Sequence, residues 1–242
     1  MACVSSEPLL VLDSVSKRFG GLTVLDGVSL SVGARDILGL VGPNGSGKTT
    51  TVNLITGIHH ADSGTIVFDG LRIDRLPSFR LAPLGINRTF QVPKPFRAMT
   101  VRENIEVAAY FGGHGAKRSD SDIDTILREI DLFEHADDRA RSLTVNQQKR
   151  LDLGRALATR PKLLCVDEIG AGLNPLELRH MAELLQGIAS RGIALIVVEH
   201  LLDFLNLITD HVIVLSAGRT LFEGSLKDAS HDREVVAAFI GG

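Results

Sequence analysis

Apolar and polar positions along this chain fall into two regimes. Near the N-terminus apolar residues come in short runs, Leu9-Leu10-Val11-Leu12, Leu22-Thr23-Val24-Leu25 and Val28-Ser29-Leu30-Ser31-Val32, each bounded by Gly, Asp or Lys. Such alternation predicts short strands and hairpins, some of them half buried. Ile37-Leu38-Gly39-Leu40-Val41 is apolar throughout and runs straight into a Gly-rich loop. After the loop, Thr49 to Ile58 carries Val52 and Ile55 at helical spacing and stops near Gly57.

The middle of the chain changes period. Ile123, Ile126, Leu127 and Ile130 fall at i, i+3, i+4 and i+7 behind the capping candidates Ser119 and Ser121, which predicts an amphipathic helix. Gln147 to Thr159 repeats the pattern with Leu151, Ala156 and Leu157, so the stretch from Pro93 to Arg160 reads as mostly helical. Two buried strands return in Leu163-Leu164-Cys165-Val166-Asp167 and Ile193-Ala194-Leu195-Ile196-Val197-Val198, with a helix from Pro175 to Ala189 between them. Strand, helix, strand in that order predicts a right-handed parallel crossover. A last strand pair, Val212 to Leu215 and Thr220 to Glu223, is joined through Ala217-Gly218. Chemistry is expected where strands hand over to helices.

Composition narrows the class. The 242 residues include 26 Lys+Arg against 29 Asp+Glu, a net charge of −3, which leaves no basic excess to neutralise phosphates and argues against nucleic acid as a partner. With 44% hydrophobic and 23% charged residues, the chain has the balance of a folded globular protein, long enough for one large domain or two small ones. No apolar stretch approaches the ~18 residues that span a bilayer. The opening MACVSSEPLL has no basic segment leading into an apolar run, so no signal peptide is expected. Cys3 and Cys165 make no disulfide framework and point to a reducing cytosol.

Gly42-Pro43-Asn44-Gly45-Ser46-Gly47-Lys48-Thr49 fits the phosphate-loop pattern GxxxxGK[ST] between a predicted strand and a predicted helix. Glycines let the loop turn its N–H groups inward, and the helix adds the positive end of its dipole. Lys48 would bring a positive charge to the β- and γ-phosphates, and the Thr49 hydroxyl would ligate Mg²⁺. Asp167, at the end of an apolar strand, is placed to orient Mg²⁺ or its water ligand, and Glu168 just beyond it to polarise an attacking water. His200, behind Glu199 at the end of the next strand, is placed to reach a γ-phosphate. The His59-His60 pair is expected in a solvated turn, and Cys165 is expected to serve packing.

These residues, with others, resemble the ATP-binding subunits of ABC transporters, and the resemblance covers essentially the whole chain. GPNGSGKTT, which extends the loop to Thr50, looks like Walker A; KLLCVDE looks like Walker B with its catalytic glutamate; the histidine of VVEHLLDF looks like the switch histidine. Gln91 in RTFQVPKPF sits where the family's Q-loop glutamine joins Mg²⁺ and the attacking water to the transporter interface, and Phe19 in VSKRFGG matches the aromatic that stacks on adenine. The segments GINRTFQVPKPFRAMTVRENIEVAA, AGLNPLE and VIVLSAGRTLFEGS narrow the likeness to the larger ATPase subunit of branched-chain amino acid importers, with urea and amide importers close by.

The resemblance implies an α/β fold: a P-loop NTPase (RecA-like) core with an N-terminal antiparallel β subdomain, over 1–92 and 160–242, and an inserted helical subdomain over 93–159. It implies ATP and Mg²⁺ as ligands, transmembrane permease subunits and a second ATPase subunit as partners, and an extracytoplasmic solute-binding protein as an indirect one. The chain would be peripheral, on the cytoplasmic face of the membrane, with Gln91 to Thr100 as the surface that docks on a permease helix. Two alternatives stand beside this reading: a regulatory subunit with little hydrolysis of its own, and a soluble ABC ATPase outside transport.

One motif departs from the family. The signature LSGGQ, or LSYGQ in this branch, stands here as Leu143-Thr144-Val145-Asn146-Gln147. It implies that Thr144, Asn146 and Gln147 open a helix that grips ATP held by the opposite subunit, with a methyl added at Thr144 and bulk added at Asn146, a residue that tolerates a left-handed backbone. Ile169 replaces the usual proline after Glu168, and Asn174 stands where many ABC proteins carry Asp. The changes predict an asymmetric heterodimer in which one composite site is impaired.

Overall fold

The computed structural model describes residues 7–112, 119–209 and 211–240, so Cys3 and the final Gly241-Gly242 lie outside the described residues. In chain order come β1 (Leu10–Phe19), β2 (Leu22–Val32), β3 (Ile37–Val41), α1 (Lys48–Ile55), β4 (Ser63–Phe68), β5 (Leu71–Arg72), α2 (Ser78–Leu84) and β6 (Ile86–Arg88). A helical stretch follows: α3 (Val101–Gly112), α4 (Asp120–Glu129), two 3₁₀ turns and α5 (Val145–Ala158). The chain then returns to β7 (Leu163–Asp167), α6 (Pro175–Ser190), β8 (Ala194–Val198), α7 (Leu202–Ile208), β9 (His211–Ser216), β10 (Arg219–Ser225), α8 (Leu226–Ala229) and α9 (Arg233–Ile240).

Among the described residues, ten strands make two sheets. One is antiparallel, in the order β2-β1-β4-β5; the other runs β10-β9-β3-β8-β7-β6, with β10 antiparallel to β9 and the remaining neighbours parallel. Along the parallel strands successive side chains enter different cores. Leu163 and Cys165 of β7, Ala194, Ile196 and Val198 of β8, and Leu38 and Leu40 of β3 pack with Leu10, Leu12 and Leu25 of the antiparallel sheet. Leu164 and Val166, Leu195 and Val197, and Val212 and Val214 of β9 pack instead with Ile105 of α3, Leu151 of α5, Leu185 of α6 and Phe204 of α7. Covering on both faces explains why these strands read as unbroken apolar runs. The fold is α/β.

The N-terminal strands differ from the expectation of three short pieces. Leu22 to Leu25 and Val28 to Val32 belong to one strand, β2, and β1 extends as far as Phe19. Register shifts between Leu12 and Val15 and again toward Arg18, with Ser14 at φ 51°, break the two-residue alternation, as bulges do. The helix after the glycine-rich loop spans Lys48 to Ile55, shorter than the Thr49–Ile58 expected, because the backbone turns at Thr56 and Gly57.

Candidate functional site

β3, β7 and β8 are parallel neighbours, so their C-terminal ends open on one edge of the sheet. That edge carries the loop 42–47, the pair Asp167-Glu168 and the pair Glu199-His200, the place where open α/β sheets hold ligands.

Contacts with both sheets fix the shape of the loop. Gly42 has φ 145°, and a Cβ there would lie 2.1 Å from Leu215 O of β9. Gly47, at φ 107°, caps α1 without a side chain, and a Cβ would lie 2.4 Å from Leu25 Cδ2 of β2. Gly218 N donates to Ser46 O (3.1 Å), and Asp26 N donates to Gly218 O (2.8 Å), so the β9–β10 turn is stitched to both the loop and β2. Lys48 Nζ donates to Gly42 O (2.7 Å) and Pro43 O (3.0 Å). Burial lowers the Lys48 ammonium from its usual value, and the Glu168 and Asp167 carboxylates partly offset that. Ser46 Oγ is buried with no hydrogen-bond partner among the described residues. An anion's oxygen would satisfy it, beside the uncapped N–H groups that open α1. Asn44, Gly45 and Thr49 face solvent, and Pro43 and Thr50 are half-buried.

Asp167 is buried at 7% exposure, and Arg88 Nη2 of β6 approaches its carboxylate at 3.4 Å. Burial raises the Asp167 pKa and Glu168 adds to the shift, against Arg88 and Lys48, which lower it. Arg88 also donates to Asn53 Oδ1 of α1 (2.6 Å) and lies over the Phe90 ring, next to Gln91. Glu168 itself has φ 46°, unusual for a residue with a side chain and a backbone cost held by its surroundings. Its Oε2 accepts from Gln91 Nε2 (2.5 Å), and His200 Nδ1 lies 3.9 Å from its Oε1. The structure thus brings Gln91, Glu168 and His200 together, with Asp167 and Lys48 beside them.

Phe19 ends β1, 41% exposed, and meets the His59 ring edge-on at 5.0 Å, with Lys17 Nζ 5.3 Å from its centroid. His59 is therefore half-buried against an aromatic ring and departs from the solvated turn expected of it, whereas His60 is exposed. Among the described residues no group of His, Cys, Asp or Glu is arranged to hold a metal by itself. Cys165 is fully buried, which pushes its thiol up to about 12.

Thr144, Asn146 and Gln147 stand at the start of α5 and have local partners. Thr144 is the N-cap: its Oγ1 accepts from Gln147 N (3.3 Å) while Gln147 Oε1 accepts from Thr144 N (2.9 Å), a capping box. Asn146 is the second residue of α5, in helical geometry, so the left-handed tolerance expected to matter there is not used. Its side chain bonds Glu177, which the Asn174 N–H and then Asn146 hold below the usual carboxylate range. Asn174 caps α6, its Oδ1 accepting from Leu176 N and Glu177 N at 3.0 Å each.

Three neighbours of the site carry charge that the sequence reading gave no role. Arg88 is one. Lys149 and Glu199 are the others, both buried. Lys149 shares the apolar stripe of α5 with Leu153 and Ala156, at i+4 and i+7, so a lysine on a buried face was the available signal.

A family model described as "ABC transporter" matches residues 25–171. The chain is 35% identical to the high-affinity branched-chain amino acid transport ATP-binding protein LivG of Salmonella typhimurium, covering 98% of this chain and 99% of that protein. It is 33% identical to BraF, described in the same terms, of Pseudomonas aeruginosa, with the same coverage. Among solved structures, a nucleotide-free ATP-binding cassette from an ABC transporter matches with a TM-score of 0.86 at 32% identity, over 97% of this chain and 100% of that one. The ADP conformation of another such cassette matches with a TM-score of 0.88 at 33% identity, over 98% and 100%.

Proposed function

The chain belongs to the ABC transporter family as an ATP-binding cassette, and we propose that it hydrolyses Mg²⁺-ATP to energise an importer of branched-chain amino acids or related small polar solutes. The observation that carries this reading is the Glu168 carboxylate, held by Gln91 and faced by His200, beside the loop that presents Lys48.

The roles follow from placement. The loop Gly42-Pro43-Asn44-Gly45-Ser46-Gly47, with Lys48, Thr49 and Thr50, wraps the phosphates, and Ser46 Oγ and the first amides of α1 donate to them. Thr49, Asp167 and Gln91 are the residues that would hold Mg²⁺, which would supply positive charge to offset that of the phosphates. Phe19 offers a ring face to adenine. Glu168 Oε1, the oxygen not engaged by Gln91, takes the proton of the attacking water, and Gln91 holds the carboxylate in place. His200 stands where positive charge or a hydrogen bond reaches the transferring phosphoryl group.

The assembly extends beyond this chain. A second ATPase subunit closes over the nucleotide, and Thr144, Asn146 and Gln147 serve the partner's ATP, with a heterodimer favoured. Residues 93–159 form the helical unit that carries them, set into a core of 1–92 and 160–242. Phe90, Val92 and Phe96 expose apolar surface around Gln91 and dock on a transmembrane permease subunit. No helix among the described residues is long and apolar enough to cross a membrane; our reading places the chain as a peripheral subunit at the cytoplasmic face.

The test is to isolate the chain from membranes with its co-purifying partners and measure Mg²⁺-dependent ATPase activity and amino-acid uptake in vesicles. Lys48→Met should abolish both. Purified complex that neither binds nor turns over Mg²⁺-ATP would refute the proposal.

A further inference from the structure

Residues 168–171 present the Glu168 side chain, and two buried charges grip their backbone. From one side comes Lys149, one turn into α5. Its Nζ donates to Glu168 O (3.4 Å), Ile169 O (2.8 Å) and Ala171 O (2.5 Å). An ammonium has three N–H donors, and here each finds a carbonyl. From the other side comes Glu199, fully buried, whose Oε1 accepts from Gly170 N (2.6 Å). The Glu168 N–H is tied to Val198 O of β8 (2.9 Å).

This arrangement is costly for a merely structural cap. Lys149 is 5% exposed and bonds only neutral carbonyls, and Glu199 Oε2 has no hydrogen-bond partner among the described residues. Burial lowers the Lys149 ammonium, offset in part by the Glu199 carboxylate and then by Glu168, and burial raises the Glu199 carboxyl, against the Gly170 N–H and His200. Desolvated charge of this kind adds little net stability. What it does provide is fixed geometry: the peptide after Glu168 cannot turn without breaking bonds to Lys149, and Glu168 keeps its left-handed backbone.

We propose that Lys149 is a positioning residue for Glu168, locking the 168–171 backbone to α5 so that the general base keeps its line to the attacking water. Because Lys149 sits one turn from Thr144 and Asn146, the same bonds tie the end of α5 that serves the partner's nucleotide to the base that serves this chain's own. The inference rests on the assignment of Glu168 as the base.

The experiment uses the assembled complex with Lys149→Gln, Lys149→Arg, Glu168→Gln and the double variant. A base displaced by a fraction of an ångström loses on the order of 10- to 100-fold in rate. Lys149→Gln should therefore lower kcat by at least about tenfold with KM for ATP within about twofold, and Lys149→Arg should restore most of it. In the Glu168→Gln background Lys149→Gln should cost almost nothing more, since both act through one carboxylate. An unchanged kcat, a rise in KM alone, or an equal loss in both backgrounds would overturn the inference. If Glu168→Gln alone turned over normally, the assignment of the base would fall first, and the inference with it. Should Lys149→Gln not fold, Lys149→Met is judged by the same criteria, with thermal unfolding as the control.

Discussion

Gln91 Nε2 and Glu168 Oε2 meet at 2.5 Å across 77 residues of sequence. One comes from the segment after the edge strand β6, the other from the end of β7, its parallel neighbour. The pairing commits one carboxylate oxygen and leaves the other facing His200. A Glu168→Gln variant keeps the shape but cannot accept a proton. It should bind ATP with near-normal affinity and lose about 10²–10⁴ in turnover, as single-turnover kinetics would measure.

The start of α5 should limit the rate of the complex. Thr144 adds a methyl beside the hydroxyl that caps α5, and Asn146 adds a side chain that is bonded to Glu177. The double change Thr144→Ser with Asn146→Gly should raise ATPase activity of the reconstituted importer by about tenfold, the equivalent of one charge-assisted hydrogen bond worth ~1.5 kcal/mol. An unchanged rate would show that Thr and Asn already suffice.

Two glycines of the phosphate loop should respond differently to alanine. At Gly42 a methyl meets Leu215 O at 2.1 Å, whereas at Gly45, with φ 78°, nothing lies within 4 Å. Gly45→Ala should cost the fold only backbone strain, ~1–3 kcal/mol at most. Gly42→Ala should cost more and weaken ATP binding as well, readable by thermal unfolding and nucleotide titration.

Away from the site, Asp74 supplies a pH signature. The side-chain bond from Arg72 (2.6 Å) does most to hold its carboxyl below the ordinary value of 3.8, against the opposing effect of burial. A carboxyl depressed in the fold adds stability at pH above 3.8 and loses it as pH falls through the folded value. Arg72 is 64% exposed, so solvent screens the bond and Asp74→Asn should cost ~1 kcal/mol at pH 7. Denaturant unfolding should show the gap closing in acid.

Legibility followed burial. β7 and β8 are covered on both faces, so their apolar runs could be read directly, and the phosphate loop between β3 and α1 announced itself by glycine spacing. β4 was missed because it opens on Ser63-Gly64, which reads as a turn; Gly64 in fact sits against Ser14 O at a register shift of β1. β6 has three residues, too few for any period. Leu202 to Ile208 has so many apolar positions that no helical stripe stands out, and it proves to be α7. Glu168 was visible from its place after a strand, but its grip by Lys149 was not, because that contact spans two elements and uses backbone carbonyls that carry no residue identity.

The β9–β10 turn has a consequence for how the protein is made. Leu215 and Gly218, which shape the phosphate loop around Gly42 and Ser46, are synthesised some 170 residues after it. A chain still emerging from the ribosome has its glycine loop early but lacks the abutments that set its curvature. The curvature of the loop is thus set only when β9 and the turn that follows it have been made and packed against it.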